Sequence, residues 1–200
     1  MAFPLQRAYW IFCIIIWTSA TLYIRLIRPL QLLRHPYKVV SVQPERGDAW
    51  TLTLQPDGHM GFEFMAGQFA WISTRTPFSF HDNPFSFSSS SEDKKEIQFT
   101  IKELGDFTST ISQIQPGEKV YVDGPFGTFD IDQHNAKGYV MIAGGIGAVP
   151  VMSILRTMAD RKDPRPVIFF LGNTDWESVT YRESYDVLTS QMNLKMVHVL

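Results

Sequence analysis

A glycine-rich turn between an apolar run and a helical pattern constrains this fold more than any other stretch. Residues 143–150 read Ala-Gly-Gly-Ile-Gly-Ala-Val-Pro, with apolar runs at 139–142 and 151–158. Glycines let the backbone approach a phosphate closely, and a helix start directs free N–H groups at an anion. Taken alone, the pattern also fits an ordinary strand-to-helix connection. The residues of the predicted nucleotide site are Gly144, Gly145, Gly147 and Pro150.

The region around this turn alternates between strand and helix patterns. Predicted strands at 139–143, 167–171 and 194–200 are separated by predicted helices near 150–160 and 184–191. This βαβαβ order is typical of half of a doubly wound parallel sheet. Because the last strand ends on an apolar residue, we expect an α/β domain over 135–200 that is incomplete at its C-terminus.

Residues 35–134 have a different pattern, with short strands and frequent turn signals. The turns are predicted at 44–48, 56–59 and 123–127, and the run Ser88–Ser91 is interpreted as a strand end and loop. Short strands at this spacing predict a small antiparallel barrel or sandwich.

The N-terminal stretch 8–27 is apolar and long enough, at about 30 Å, to cross a membrane as a helix. It continues into a basic linker, 28–34, and more Arg and Lys follow the apolar stretch than precede it. The positive-inside rule then places the remainder in the cytoplasm. A signal peptide cleaved near 18–20 and a buried soluble helix are the alternatives, but the apolar pattern continues to Ile27.

Composition excludes several classes of function. The net charge of −2 gives no overall field that would favour nucleic acid. The single cysteine, Cys13, excludes a disulfide framework and a cysteine-held metal site within the chain. The five histidines show no close metal-ligand spacing, so we predict no metal site.

Two further stretches carry polar groups that could hold a ligand. Asn83-Pro84-Phe85-Ser86 places an aromatic ring and a hydroxyl at a barrel strand. Farther along, Lys102 precedes a Gly-x-x-Thr run, Gly105 to Thr108, and a short predicted helix. Thr108 is a good N-cap residue, and the free amides after it would form an anion site. Each of these residues alone fits an ordinary core or surface role.

In this order, the stretches resemble the ferredoxin–NADP reductase superfamily, in which a flavin-binding barrel precedes a pyridine-nucleotide domain. More narrowly, the chain looks like the dehydrogenase part of the ferric reductase and NADPH oxidase membrane family. In that family a final transmembrane helix runs through a basic linker into a His-Pro-x-x-Val strand, as at residues 35–39 here. The resemblance implies an N-terminal transmembrane helix, a six-stranded-type FAD-binding barrel over 35–134 and a truncated α/β nucleotide domain.

The resemblance also implies roles for the residues. Phe85 would pack against the flavin, and Ser86 would donate toward its N5 as the catalytic group. Asn83 and Pro84 belong to the same stretch, which would cradle the flavin ring and its ribityl chain. Lys102 and the amides around Gly105, together with Thr108, would hold the FAD pyrophosphate. The glycines of the 143–150 turn would admit NAD(P)H as substrate, so that a hydride passes to FAD and single electrons pass on to haem or another acceptor.

The chain departs from the family at several positions. Asn83 stands where relatives carry Arg or His, and His81 is a candidate substitute. Val149 stands where many relatives have Thr, and the family's late Cys-Gly motif and terminal aromatic lie beyond Leu200. The apolar stretch contains no histidine. Haem would therefore need histidines from further sequence or from a partner.

Coenzyme and acceptor are left open by the sequence. An acidic residue of the run 172–177, which contains Asp175 and Glu177, would bind a ribose 2′-OH and favour NADH, whereas Arg182 could bind a 2′-phosphate. The end acceptor would be ferric iron, oxygen or a quinone-like compound. The alternatives are a flavin reductase that feeds a separate electron carrier, and a non-catalytic single-pass interaction module that binds no flavin.

Overall fold

The structure, a computed structural model, describes residues 4–79, 83–134 and 136–200. Two predictions fall outside these ranges. One concerns His81, the candidate substitute at the flavin site, and the other concerns Asn135, the predicted first residue of the nucleotide domain.

A long exposed helix forms the N-terminus. It consists of α1 (Pro4–Leu22), a π-helical turn (Tyr23–Ile27) and α2 (Arg28–Arg34), which together make 31 residues. Its most apolar 18-residue segment has a mean hydropathy of 1.8. We predicted that Arg28-Pro29 would close or bend the helix, but the helix continues to Arg34. Proline lacks an N–H and its ring crowds the preceding turn, and the wider π-helical turn just before Pro29 accommodates it.

Six antiparallel strands form the barrel, and their edges meet. The strands are β1 (Tyr37–Glu45), β2 (Ala49–Pro56), β3 (Phe69–Ser73), β4 (Asn83–Ser86), β5 (Ile97–Lys102) and β6 (Lys119–Phe126). They are ordered β4-β3-β6-β1-β2-β5. A bridge between Phe87, just after β4, and Phe99 of β5 joins the two edge strands. Both rings are fully buried, so this closure lies in the barrel core.

The end of β6 corrects one prediction. Residues 123–127 were predicted as a turn, but β6 continues to Phe126 and pairs with β3 across an irregular register. The strands approach closely at Gly124, where a Cβ would come within 2.8 Å of the Ala70 Cβ. The glycine therefore serves strand packing, and the chain turns only at Gly127, whose φ is +96°.

Three parallel strands with two helices form the second domain. The strands β7 (Tyr139–Gly144), β8 (Val167–Gly172) and β9 (Leu194–Val199) lie in the order β7-β8-β9, and the helices are α3 (Ala148–Asp160) and α4 (Arg182–Gln191). Both helices pack on one face of the sheet, around Met141 and Phe169. The opposite face exposes apolar side chains, with Ile142 77% and Val140 65% accessible.

Candidate functional site

A cleft opens beside the barrel, between the loop after β3 and the short helix after β5. It has a volume of about 330 Å³ and is lined by Ser73, Thr74, Arg75, Thr76, Ser79, Asp106, Phe107 and Thr110. Hydroxyl groups and one guanidinium converge on it, and these are the donors that phosphate oxygens accept from. The donor set of this cleft therefore fits the phosphates of a nucleotide cofactor.

An aromatic pair lies next to this cleft. Phe85 of β4 stacks on Phe107, with ring centroids 5.9 Å apart and planes 19° from parallel. Side chains alternate along a strand, so Asn83 and Phe85 share one face of β4, opposite Ile72 and Ala70 of β3. The predicted flavin residues Asn83 and Phe85 therefore lie on one face of β4, and Phe85 contacts the cleft residue Phe107.

The other two residues of the predicted cradle occupy the opposite face of β4. Pro84 is exposed and pairs with Trp71, and Ser86 is half-buried and pairs with Phe69. The role of Ser86 toward a flavin stays a prediction.

Thr108 organises the loop before the short helix. Its Oγ1 accepts hydrogen bonds from the amides of Leu104 at 2.8 Å and Gly105 at 2.9 Å, and it donates to the Gly105 carbonyl. Thr108 is the first residue of the 3₁₀ helix (Thr108–Gln113), and Phe107 occupies the cap position without a side-chain cap bond. The prediction of Thr108 as N-cap is therefore wrong. Two of the amides predicted to hold pyrophosphate are already satisfied by its hydroxyl.

Lys102 lies away from the cleft lining. It shares its face of β5 with Thr100 and Gln98, and those side chains bond to Ser88 and Arg156 at the boundary between the two domains. The structure thus places Lys102 on the face of β5 directed toward the nucleotide domain. Its assignment to the FAD pyrophosphate stays a prediction.

The glycine turn of the second domain is open in front. A single 3₁₀ turn (Gly145–Gly147) leads directly into α3, and Pro150 is the third residue of that helix. Gly145 has φ +49°, a conformation that L side chains rarely adopt, and a Cβ there would meet nothing within 4 Å. At Gly144 the nearest atom to such a Cβ is the Gly172 carbonyl, at 3.9 Å. The turn therefore leaves room for a nucleotide to approach its backbone.

Asp175 and Arg182, two of the residues predicted to select the coenzyme, contact residues close to them in the chain. Asp175 accepts from the Ser178 amide at 2.8 Å and from Thr174 Oγ1 at 3.1 Å, and these bonds lower the pKa of its carboxyl group. The Arg182 guanidinium lies over the Trp176 ring, 5.3 Å from its centroid. Both side chains therefore have partners within residues 174–183.

Sequence reasoning missed two features of the site. Arg75 lines the cleft, and its only signal was an arginine between two threonines after a predicted strand. The run Ser88–Ser91 was interpreted as a strand end and loop, yet all four serines are buried against α3. Its signal was four consecutive hydroxyl residues directly after the predicted flavin strand.

Two family models match the two halves of this architecture. One described as "FAD-binding domain" matches residues 48–130, and one described as "Oxidoreductase NAD-binding domain" matches residues 141–200. The chain belongs to the ferredoxin–NADP reductase superfamily. Its two domains correspond to an FAD-binding domain and an oxidoreductase NAD-binding domain.

Individual relatives include the reductase component of a monooxygenase and a respiratory burst oxidase homologue. The reductase component of propane 2-monooxygenase from Mycolicibacterium smegmatis is 31% identical over 147 residues, which make up 72% of this chain and 41% of that protein. The putative respiratory burst oxidase homolog protein G of Arabidopsis thaliana is 28% identical over 162 residues, 72% of this chain and 19% of that protein. The chain therefore spans less than half the length of these curated relatives.

Solved structures share the superfamily fold. The flavohem-like FAD/NAD-binding domain of nitric oxide dioxygenase from Vibrio cholerae matches with a TM-score of 0.72 and 20% identity, covering 82% of this chain and 73% of that one. Phthalate dioxygenase reductase matches with a TM-score of 0.71 and 22% identity, covering 84% and 53%. Both likenesses concern the fold.

Proposed function

We propose that this chain is the flavin module of a membrane-anchored oxidoreductase that takes hydride from NAD(P)H and passes single electrons to haem or another acceptor. The observation that carries this proposal is the pairing of a phosphate-compatible cleft beside Phe85 with an open glycine turn at Gly144–Gly147. The first site suits a flavin nucleotide, and the second suits its hydride donor.

Different barrel residues would hold different parts of FAD. When bound, FAD accepts a hydride and releases electrons one at a time. Phe85, stacked on Phe107, would offer an aromatic face to the ring system, and Ser86 would donate toward N5. Arg75 would neutralise phosphate charge, and the hydroxyls around it would donate to the phosphate oxygens. The carboxylate of Asp106 in the same cleft opposes an anion, which makes the guanidinium of Arg75 the more necessary.

The second domain would orient the nicotinamide nucleotide. Gly144, Gly145 and Gly147 carry no side chains that would block the approach, and α3 begins at Ala148 directly behind them. The start of α3 places backbone N–H groups and a positive helix end near the turn, where an anionic nucleotide is stabilised. Pro150 lacks a free N–H, so it costs no donor in this first helical turn.

The N-terminal helix supports membrane anchoring. None of the residues in its most apolar 18-residue segment is buried. Ile14, Trp17 and Leu22 are 62%, 76% and 52% exposed. Soluble proteins rarely expose contiguous apolar patches larger than a few hundred Å². A lipid bilayer would cover this surface, and the barrel and nucleotide domain would then face the cytoplasm.

The acceptor defines two versions of the proposal. The helix (Pro4–Arg34) contains no histidine, so haem would be held by further sequence or by a partner. Likeness to the reductase component of a monooxygenase supports the second candidate, in which the reduced flavin serves a separate electron carrier.

The visible spectrum of the full-length protein in membranes or detergent tests this function. We expect a flavin absorption band that is bleached anaerobically by NADH or NADPH, and comparing the two coenzymes identifies the donor. Protein that stays colourless after incubation with FAD would show that the chain is an interaction module instead. Release from membranes by alkaline carbonate would contradict the proposed span.

A further inference from the structure

The run Ser88–Ser91 forms a buried polar seam between the two domains. These residues follow β4 directly, and each is between 0% and 6% exposed. They pack against Ser153 and Thr157 of α3, which are both fully buried. Removing polar groups from water costs free energy unless they form hydrogen bonds within the protein. Because these hydrogen bonds form only when the two surfaces are correctly aligned, the seam defines a specific arrangement of the two domains.

Hydrogen bonds join Ser88, Ser89 and Ser91 to α3 across the seam. Ser153 Oγ donates to the Ser89 carbonyl at 2.7 Å, and the Ser91 amide donates to Thr157 Oγ1 at 2.9 Å. Between them, Arg156 Nη1 donates to the Ser88 carbonyl at 2.8 Å and to Gln98 Oε1 at 3.0 Å. Residues spaced by three and four share one face of a helix, so α3 presents a single polar face to the barrel.

The seam joins the two predicted reaction sites through rigid elements. On the barrel side, Ser88 follows Ser86 by two residues, and Phe87 between them is locked in the core. On the other side, α3 begins at Ala148, next to the glycine turn, and Arg156 lies two turns farther along, about 12 Å at 1.5 Å per residue. The position of Arg156 therefore couples the strand of the flavin site to the helix of the nucleotide site.

We propose that Arg156, supported by Ser153 and Thr157, is a positioning residue that sets the nicotinamide site against the flavin site. This inference rests on the proposed hydride transfer. Reacting atoms must approach to about 3–3.5 Å, and a displacement of about 1 Å can slow such a step about a hundredfold. Arg156 belongs to neither predicted site, and it acts through the strand and the helix that it connects.

The guanidinium is suited to this role by its shape. It bridges two acceptors on the barrel while its plane lies over the Tyr181 ring, 5.4 Å from the centroid. Both bonds come from Nη1, at the far end of the side chain, and glutamine is too short to reach both acceptors. Lysine keeps the length and the charge but lacks the planar group that lies over Tyr181. Arg156→Gln should loosen the seam, and Arg156→Lys should restore part of the function.

The test is the limiting rate of flavin reduction by saturating NADH or NADPH in the full-length holoenzyme. C4-deuterated coenzyme confirms that the measured step is hydride transfer. For Arg156→Gln we expect a rate roughly tenfold lower and weaker long-wavelength absorbance from coenzyme stacked on oxidised flavin, with FAD affinity within about twofold of wild type. Asp186→Asn, at an exposed position of α4 away from the seam, is the matched control and should behave as wild type.

Two results would overturn the proposal. One is an unchanged reduction rate in Arg156→Gln, and the other is a loss of FAD affinity as large as the loss of rate, which would indicate a merely structural role. Ser153→Ala removes a single hydrogen bond of the seam, and it is the variant to measure if Arg156→Gln fails to fold. For Ser153→Ala we again expect slower flavin reduction at unchanged FAD affinity. If wild-type protein takes up no FAD, the proposed function itself fails.

Discussion

At the scale of single residues, the cleft beside the barrel depends on Arg75. Its side chain is exposed, and it is the arginine among the cleft-lining residues, whereas Lys102 lies on the other side of β5. A hydrogen bond to a charged group contributes about 1.5–3 kcal/mol, and 1.4 kcal/mol corresponds to a tenfold change in affinity. We therefore expect Arg75→Gln to weaken FAD binding about tenfold, and Lys102→Gln to weaken it less, as measured by flavin fluorescence.

Riboflavin separates a phosphate contact from general damage, because it has the ring system without phosphate. The affinity for riboflavin should be the same in wild type and in Arg75→Gln. An equal loss for both ligands would show that Arg75 acts on the fold and not on the phosphates.

The site at this scale could be predicted from sequence only where a residue type has a distinctive backbone role. In the 143–150 turn, Gly145 has such a role, because its φ of +49° favours glycine, whereas Gly144 and Gly147 have negative φ values. Thr108 was identified as a ligand-binding residue, but the loop folds onto its hydroxyl. Arg75 was missed because a charged residue in a loop gives no periodic signal, and the loop's path depends on distant packing.

At the scale of elements, one ion pair joins the N-terminal helix to the barrel. Arg28 of α2 makes a two-pronged contact with Asp123 of β6, with Nε–Oδ2 at 2.7 Å and Nη2–Oδ1 at 2.8 Å. The same guanidinium lies 5.2 Å from the centroid of the Phe126 ring. This geometry, partly shielded from water, holds the helix against the barrel wall.

Removing this contact should free the helix without unfolding the barrel. For Arg28→Gln we expect a loss of about 1 kcal/mol in local stability, because an ion pair of good geometry at a partly buried position contributes that much. Faster hydrogen exchange at the amides of residues 28–36 would measure it. Arg34→Gln, on the exposed side of the same helix, should leave the exchange unchanged, and identical exchange in both variants would contradict the assigned role of Arg28.

Element types could be predicted from sequence where periodicity was strong. The parallel strands and α3 follow the apolar runs, because hydrophobic pattern and helix start agree there. The end of β6 was mispredicted because Gly124 and Pro125 are frequent in turns, while here Gly124 permits close contact with β3. Sequence pattern does not reveal that a neighbouring strand approaches so closely.

At the scale of the whole molecule, buried tyrosines make stability depend on pH. Burial raises the pKa of Tyr181 and Tyr185 above the usual value of 10. The unfolded chain releases these protons first, so their contribution to stability is complete below pH 10 and is lost as pH rises through the higher folded-state values. We expect the melting temperature to fall steeply above pH 10, and Tyr185→Phe to reduce that slope in thermal melts.

A matched control for this effect is Tyr121→Phe, which removes a half-buried barrel hydroxyl far from these rings. The slope above pH 10 should remain in this variant. A slope that persists equally in Tyr185→Phe would mean that other groups govern alkaline unfolding.

Domain order could be predicted from sequence, since the barrel motifs precede the glycine turn. The way in which the domains meet could not, because the seam joins Ser88–Ser91 to residues more than sixty positions later. Such contacts depend on two finished surfaces and leave no local pattern. The serine run became informative only once α3 was placed against it.

The N-terminal helix also sets the distance between the membrane and the barrel. Its 31 residues extend about 46 Å, whereas the hydrocarbon core spans about 30 Å and the whole bilayer about 40–45 Å. The distance between the bilayer surface and the barrel is therefore short. The ion pair between Arg28 and Asp123 attaches the helix directly to the barrel wall. In the proposed orientation, the helix holds the flavin cleft at a fixed position close to the lipid headgroups. Electrons leaving it would have only a short, fixed distance to travel to an acceptor embedded in the bilayer.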